Sequence, residues 1–292
     1  MADDLPDTGT ALHRVENAVL RFLLGAVGRL PWRARGAVMG WLVRAVIGPV
    51  AGWSRRADAN LARIWPDKPL AERRHIRRAA LDNIGRSFGE MYDPKGLRAR
   101  MAETPFEGAG AEPMLDALMD ERPVVLVSGH YGNYEAPKAA LAERGFPVAM
   151  IYRPAANPHF NAHYWATLSK LSGPIFAQGK GGTAAFFENA KAGHLSALLF
   201  DVHTDKGIDL PFLGHNARTA LSAARLALET GAVLIPFWGI RKPDGVSFRL
   251  LFDAPIPHSD EQQMMAELTR RLEDRIAEDP GQWLWSHRRW KV

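Results

Sequence analysis

The sequence predicts an α/β fold: a largely parallel central sheet flanked by helices, with amphipathic helices at the N-terminus. Three observations carry this. From about residue 105, short apolar runs alternate with stretches of helical periodicity, the order that builds a parallel sheet covered on both faces. The run Val124-Val125-Leu126-Val127 follows Pro123 and precedes Gly129 and Gly132, so it reads as a buried strand opening into a tight turn. A length of 292 residues, 47% of them hydrophobic, suffices for one large domain, or one domain plus an N-terminal extension, with a substantial core.

At the N-terminus Val15, Val19, Phe22, Leu23, Ala26 and Leu30 recur at helical spacing until Pro31 and Trp32 break the segment. A second apolar stretch, from Ala37 to Trp53, contains Arg44 and is interrupted by Pro49, which makes it a poor spanning helix. Residues 1–65 hold nine Arg against five Asp and Glu, with Trp32, Trp41, Trp53 and Trp65 among them. This pattern predicts a hairpin lying in a membrane surface, apolar face among the acyl chains and Arg and Trp at the headgroups. The alternative is two amphipathic helices packed on the main domain. Asp3, Asp4 and Asp7 lead the chain and no small-residue cleavage site is clear, which argues against a signal peptide.

Residues 55–100 read as helical and basic, with Arg73, Arg74, Arg77 and Arg78 forming either a solvated face or a docking surface. A helix at 111–120 precedes a strand at 123–128, and a helix follows at 133–144. Phe146-Pro147 leads to a strand at 148–152, then helices at 158–171 and 183–191. Strands at 195–200 and 232–239 flank a helix at 219–230; a strand at 247–253 and a helix at 261–278 follow.

The absence of cysteine removes disulfides, thiolate metal sites and cysteine nucleophiles. A net charge of +5 favours anionic partners. With no Lys-rich run and no aromatic RNA-binding motif, nucleic acid is not expected among them.

The chemistry is expected at the strand end 128–135. A histidine there titrates near neutrality and suits proton removal from a hydroxyl. Glu135 is placed to hold one ring nitrogen and leave the other free. Amides of the Gly129–Gly132 turn are candidates for oxyanion stabilisation. The alternative is a core histidine that caps a turn. Arg153, at a strand end, suits an anionic group, or caps the turn at Pro154. Arg218 and Thr219 are expected at a helix start, as anion ligands or as an ordinary cap. Gln178-Gly179-Lys180-Gly181-Gly182-Thr183 lacks phosphate-loop spacing and reads as a flexible loop before a helix, although its amides and Lys180 could meet a phosphate. His159 and His163 share a helix face without a partnering carboxylate pattern, so no metal is expected. Arg288 and Arg289 lie among Trp283, Trp285 and Trp290, either to reach headgroups or to staple the C-terminal segment.

Gly129-His130-Tyr131-Gly132-Asn133-Tyr134-Glu135, with its His-x4-Glu core, closely resembles the signature of the late acyltransferases of lipid A biosynthesis, within the lysophospholipid and glycerolipid acyltransferase superfamily. Tyr152-Arg153-Pro154 with Asn157-Pro158 is similar to the second block of that family. Asp201, Pro211-Phe212-Leu213-Gly214 and Arg218-Thr219 resemble the third, and Thr230-Gly231-Ala232 with Pro236 and Arg241 the fourth. The ending Trp283 to Lys291, and upstream Asn60-Leu61, Pro66, Asn83 to Arg86 and Glu90, also fit, so the likeness spans roughly 55–292. The chain departs from it at Val202-His203, where the family commonly has Gln after the aspartate.

The resemblance implies a glycerolipid-acyltransferase-like catalytic domain at 55–292 behind a membrane-associating helical segment at 1–54. It implies a fatty acyl transfer from acyl carrier protein or acyl-CoA to a hydroxyl of a lipid A precursor, with a lyso-aminolipid or lysophospholipid as the alternative acceptor. His130 and Glu135 would be catalytic, and Asn133, Arg153, Asp201, Arg218 and Thr219 would shape the substrate site. No metal or cofactor is implied, and the expected place is the cytoplasmic face of the inner membrane. The readings from other classes are a membrane-surface binding protein with a structural His130, and a nucleotide-dependent enzyme resting on Gly179–Gly182 alone.

Overall fold

The computed structural model describes residues 9–291; Asp3, Asp4 and Asp7 lie outside them. Helix α1 (Ala11–Gly28) starts at Thr10, whose hydroxyl accepts the His13 amide while the His13 ring accepts the Thr10 amide. It buries no side chain, and Leu12, Val15 and Phe22 are 65, 59 and 75% exposed.

Helix α2 (Trp32–Leu42) continues through a π-helical turn, Val43–Ile47, into α3 (Gly48–Val50). The interruption expected at Pro49 is absent. In the π turn Gly48 N–H bonds to Val43 O, five residues back. The wider turn takes up the proline, whose ring would clash with a regular α-helical carbonyl. The chain then bends by 87° into α4 (Trp53–Ile64). No single helix among the described residues is long and apolar enough to cross a membrane; the bent pair 32–50 and 53–64 passes by length and composition only.

Helices α5 (Leu70–Met91) and α6 (Pro94–Met101) follow. The α/β body then runs β1 (Phe106–Glu107), α7 (Ala111–Met119), β2 (Val124–Ser128), α8 (Glu135–Glu143), β3 (Ala149–Tyr152), α9 (Pro158–Leu171), β4 (Ile175–Ala177), α10 (Lys180–Lys191) and β5 (Ser196–Leu199). A hairpin, β6 (Ile208–Phe212) and β7 (His215–Thr219), precedes α11 (Ser222–Thr230), β8 (Val233–Arg241), β9 (Phe248–Phe252) and α12 (Glu261–Glu278).

The seven-stranded sheet has the order β1-β9-β8-β2-β5-β3-β4, with β8–β9 the one antiparallel pair. This is the expected α/β class. All five residues of β2 are buried, as a central parallel strand covered on both faces requires. On one face Met264, Met265, Leu268, Leu272 and Ile276 of α12 pack with Trp238, Trp283 and Trp285. On the other, Met114, Ala117, Ala136, Ala140 and Leu141 of α7 and α8 complete the core.

The β6–β7 hairpin was not anticipated. Its turn has Leu213 and Gly214 both at positive φ, 50° and 78°, the geometry of a tight two-residue hairpin. Arg218 and Thr219 therefore sit on β7, not at the helix start expected for them; α11 begins at Ser222.

Candidate functional site

The parallel strands β2, β5 and β3 all end on one edge of the sheet, where open α/β folds place ligands. Ser128 pairs with Leu199, and His130 and Asp201 each lie two positions beyond that pair. The register thus delivers them side by side. The His130 Nδ1 lies 2.8 Å from Asp201 Oδ1, and the His130 amide donates to Asp201 Oδ2 at 2.7 Å. The Trp283 indole donates to the same Oδ2 at 2.8 Å.

Burial of Asp201 pushes its carboxyl up; the His130 charge, the ring and amide donors of His130 and the Trp283 indole outweigh this and hold it down at about 2. Asp201 is therefore ionised at neutral pH and accepts the Nδ1 proton. A neutral imidazole held this way would carry its proton on Nδ1 and leave Nε2 free. Nε2 has no protein partner among the described residues, and the ring is 25% exposed. Tyr134 packs edge-on against the imidazole at 5.3 Å. Burial, then the charges of Glu135, Tyr164 and Asp201, push its phenol well above the ordinary range.

Glu135 does not meet His130. It starts α8, is buried, and has Lys138 Nζ 2.9 Å from its Oε2. The same ammonium reaches Met150 Sδ at 3.0 Å and sits 5.4 Å from the Tyr134 ring centroid. A residue at the first position of a helix has its side chain directed by that helix, which here turns Glu135 inward. The carboxylate found against the His130 ring nitrogen is Asp201, which the resemblance implied would help shape the substrate site.

Asn133 is likewise internal. Its Nδ2 donates to Glu90 Oε2 at 2.7 Å and its Oδ1 accepts the Glu135 amide at 3.0 Å. Glu90 in turn pairs with Arg241, whose Nε donates to Asn83 Oδ1 at 2.8 Å, and Asn83 donates to Gly132 O at 2.8 Å. This buried network braces the turn that carries His130. Gly132 itself has φ 61°, and a Cβ there would lie 2.1 Å from Gly239 O, so the backbone admits only glycine.

Three amides of the turn expected to form an oxyanion pocket already have acceptors. His130 N donates to Asp201, Tyr131 N to Gly129 O and Gly132 N to Gln282 O. The hydrogen bonds that hold the turn closed are the reason.

Arg153 follows β3 on the same sheet edge, is exposed, and has no acidic partner among the described residues. Arg218 is exposed, near Asp209 at 3.3 Å and donating to Gly207 O at 3.0 Å. Thr219 is fully buried: its hydroxyl donates to Ala217 O and accepts from Arg289 Nη2 at 2.6 Å. Arg289 also lies over the Phe212 ring at 5.3 Å, so it staples the C-terminal segment, whereas Arg288 is exposed.

Trp283 and His287 were not expected here. His287 Nε2 accepts the His203 amide at 3.0 Å. Burial lowers its ring to about 4, despite the opposing charge of Asp201. Their placement follows from the bond between Leu284 N and His130 O, which lays the C-terminal segment across the site.

Residues 13–292 match the family model described as bacterial lipid A biosynthesis acyltransferase. The chain is 27% identical over 252 residues, 80% of its length and 77% of the relative's, to the lipid A biosynthesis lauroyltransferase of Escherichia coli strain K12. It is 22% identical over 273 residues, 90% of its length and 84% of the relative's, to the lipid A biosynthesis acyltransferase of Haemophilus influenzae.

Proposed function

The chain belongs to the bacterial lipid A biosynthesis acyltransferase family and is an acyltransferase, and from that premise we propose that it transfers a fatty acyl chain from a thioester, acyl carrier protein or acyl-CoA, to a hydroxyl of a lipid A precursor. The observation that supports this mechanism is the His130–Asp201 pair with Nε2 open to the sheet edge. The acceptor O–H gives its proton to Nε2 as its oxygen attacks the thioester carbonyl. The tetrahedral intermediate then collapses and the C–S bond breaks. The departing sulfur takes the proton back from Nε2, leaving an ester and a thiol. Asp201 stays ionised and stabilises the imidazolium formed in between, an assistance typically worth ~10²–10⁴-fold. No acyl-enzyme forms.

Arg153 would hold an acceptor phosphate on the same edge. Segment 1–54 would keep the enzyme at the cytoplasmic face of the inner membrane. In it α1 offers Leu12, Val15, Val19 and Phe22 to the acyl region, while α2 and the π turn fix it to the catalytic body through buried Trp32, Met39 and Val43.

The test is lipid analysis of a deletion strain complemented with wild type or His130→Ala. Lipid A short of one acyl chain, restored by wild type alone, supports the proposal. Unchanged lipid A with loss of an acylated phospholipid or aminolipid would move the acceptor to that class.

A further inference from the structure

Helices α2 and α5 approach closely enough that a Cβ on Gly85 would lie 2.2 Å from Met39 O, and one on Gly40 2.6 Å from Asp82 Oδ1. Between the helices lies an open cavity of about 520 Å³ lined by Ala37, Arg44, His75, Arg78, Asp82 and Arg86. It is apart from the His130–Asp201 edge. On α5 the lining residues recur at helical spacing on one face, while Asn83, Ser87 and Glu90, on the face turned inward, reach the catalytic turn and Arg241.

Not all of its cations are neutralised. Arg77, beside the cavity, pairs with Asp58 at 2.5 Å and Arg86 with Asp82 at 2.5 Å. Arg44 and Arg78 are exposed, line the same space, and have no acidic partner among the described residues. Arg44 is carried by the π turn, a distortion that recurs at functional sites. Two like charges held together by a rigid helix contact repel unless an anion lies between them.

The rim identifies the anion's source. Ala37 and Trp41 of α2 and Arg44 of the π turn follow one another at helical spacing, and Trp41 is 53% exposed. Ile47 and Val50 beyond them are 36 and 86% exposed. A basic hollow on a helical segment that also carries exposed tryptophan and aliphatic side chains suits the headgroup boundary of a bilayer, where arginines meet phosphates and apolar side chains meet acyl chains.

We propose that the α2–α5 cavity is a second anion site, which takes the phosphate headgroup of a bilayer lipid between Arg44 and Arg78 and so sets the orientation of the enzyme on an anionic membrane. This rests on the membrane contact proposed above. An acidic carrier protein is the competing occupant, disfavoured by the apolar rim.

The test uses full-length protein and Arg44→Gln/Arg78→Gln. Titration with dihexanoyl phosphatidic acid below its micellar concentration, followed by calorimetry, needs no membrane. Saturable binding by wild type that the double variant loses supports the site. No saturable binding, or equal binding by both, overturns it. In co-sedimentation, the double variant should lose roughly tenfold in partition to phosphatidic acid/phosphatidylcholine vesicles and nothing on phosphatidylcholine alone. A Val19→Ser/Phe22→Ser variant should lose binding to both. If wild type binds the short-chain lipid but no vesicle, the membrane reading fails and the anion site stands as a soluble-ligand site, which overturns the orienting role. If the double variant keeps the lipid but loses acyl carrier protein, the cavity is a carrier dock and the proposal is wrong.

Discussion

His130 and Asp201 lie 71 residues apart in sequence and 2.8 Å apart in space, joined through Nδ1 and Oδ1 because their strands pair in register. In the proposed reaction an ionised, buried carboxylate on Nδ1 would steady the imidazolium formed at His130. Asp201→Asn removes the charge and leaves the shape. It should lower kcat by roughly 10³-fold, with little change in either KM. Steady-state kinetics on variant protein of native circular dichroism checks this. A loss under tenfold would exclude Asp201 from the reaction.

Glu135 should behave differently. Its ion pair with Lys138 is buried on both sides, and removal of one partner strands the other charge. Glu135→Gln is expected to cost about 3 kcal/mol of stability. Glu135→Gln/Lys138→Met removes both charges and should recover most of it, together with activity. Thermal melts and kcat of both variants separate the roles. If the double variant is stable yet as slow as Asp201→Asn, Glu135 acts on the reaction itself.

The sheet was legible because its strands are short, apolar and punctuated. Runs such as Val124–Val127 and Ser196–Leu199 are each followed within two residues by a polar side chain, Ser128 and Asp201, at the end of the strand. What the sequence hid is strand order. Nothing in the chain says that β5 lies beside β2, so the nearer carboxylate, Glu135, looked like the partner of His130 although helix α8 turns it away. The β6–β7 hairpin was readable in principle. Leu210, Phe212, Ala217 and Thr219 are buried in alternation with exposed neighbours, a period of two, but each run is short and carries Pro211 or Arg218, which weakens the strand signal. Trp283 is a packing residue by type, and its indole bond to Asp201 depends on how the C-terminal segment folds back.

Arg153 has no hydrogen-bond or ion-pair partner to lose among the described residues, so its removal should leave the fold untouched. Arg153→Ala should raise KM for a phosphorylated acceptor by tenfold or more, on the order of the 1.5–3 kcal/mol carried by a hydrogen bond to a charged group. The KM for the thioester donor should not move. Arg153→Lys should recover only part, since an ammonium lacks the planar fork that grips a phosphate. An unchanged acceptor KM in the alanine variant would remove Arg153 from the site.

The depressed titration of His287 should contribute to an acid limit on stability. Burial lowers its ring from 6.5 to about 4, so the folded protein keeps it neutral where the unfolded chain protonates it. The sign follows from linkage: between those values the unfolded state binds the extra proton, so stability falls as pH drops from 6.5 towards 4 and levels off below. The ring is partly exposed, so solvent screening tempers the effect. His287→Gln keeps an acceptor for the His203 amide and removes the titration. Melting temperature against pH should therefore fall less steeply in this variant across that window, with both proteins converging in slope above pH 7. Parallel profiles for the two would show that other groups govern the acid limit.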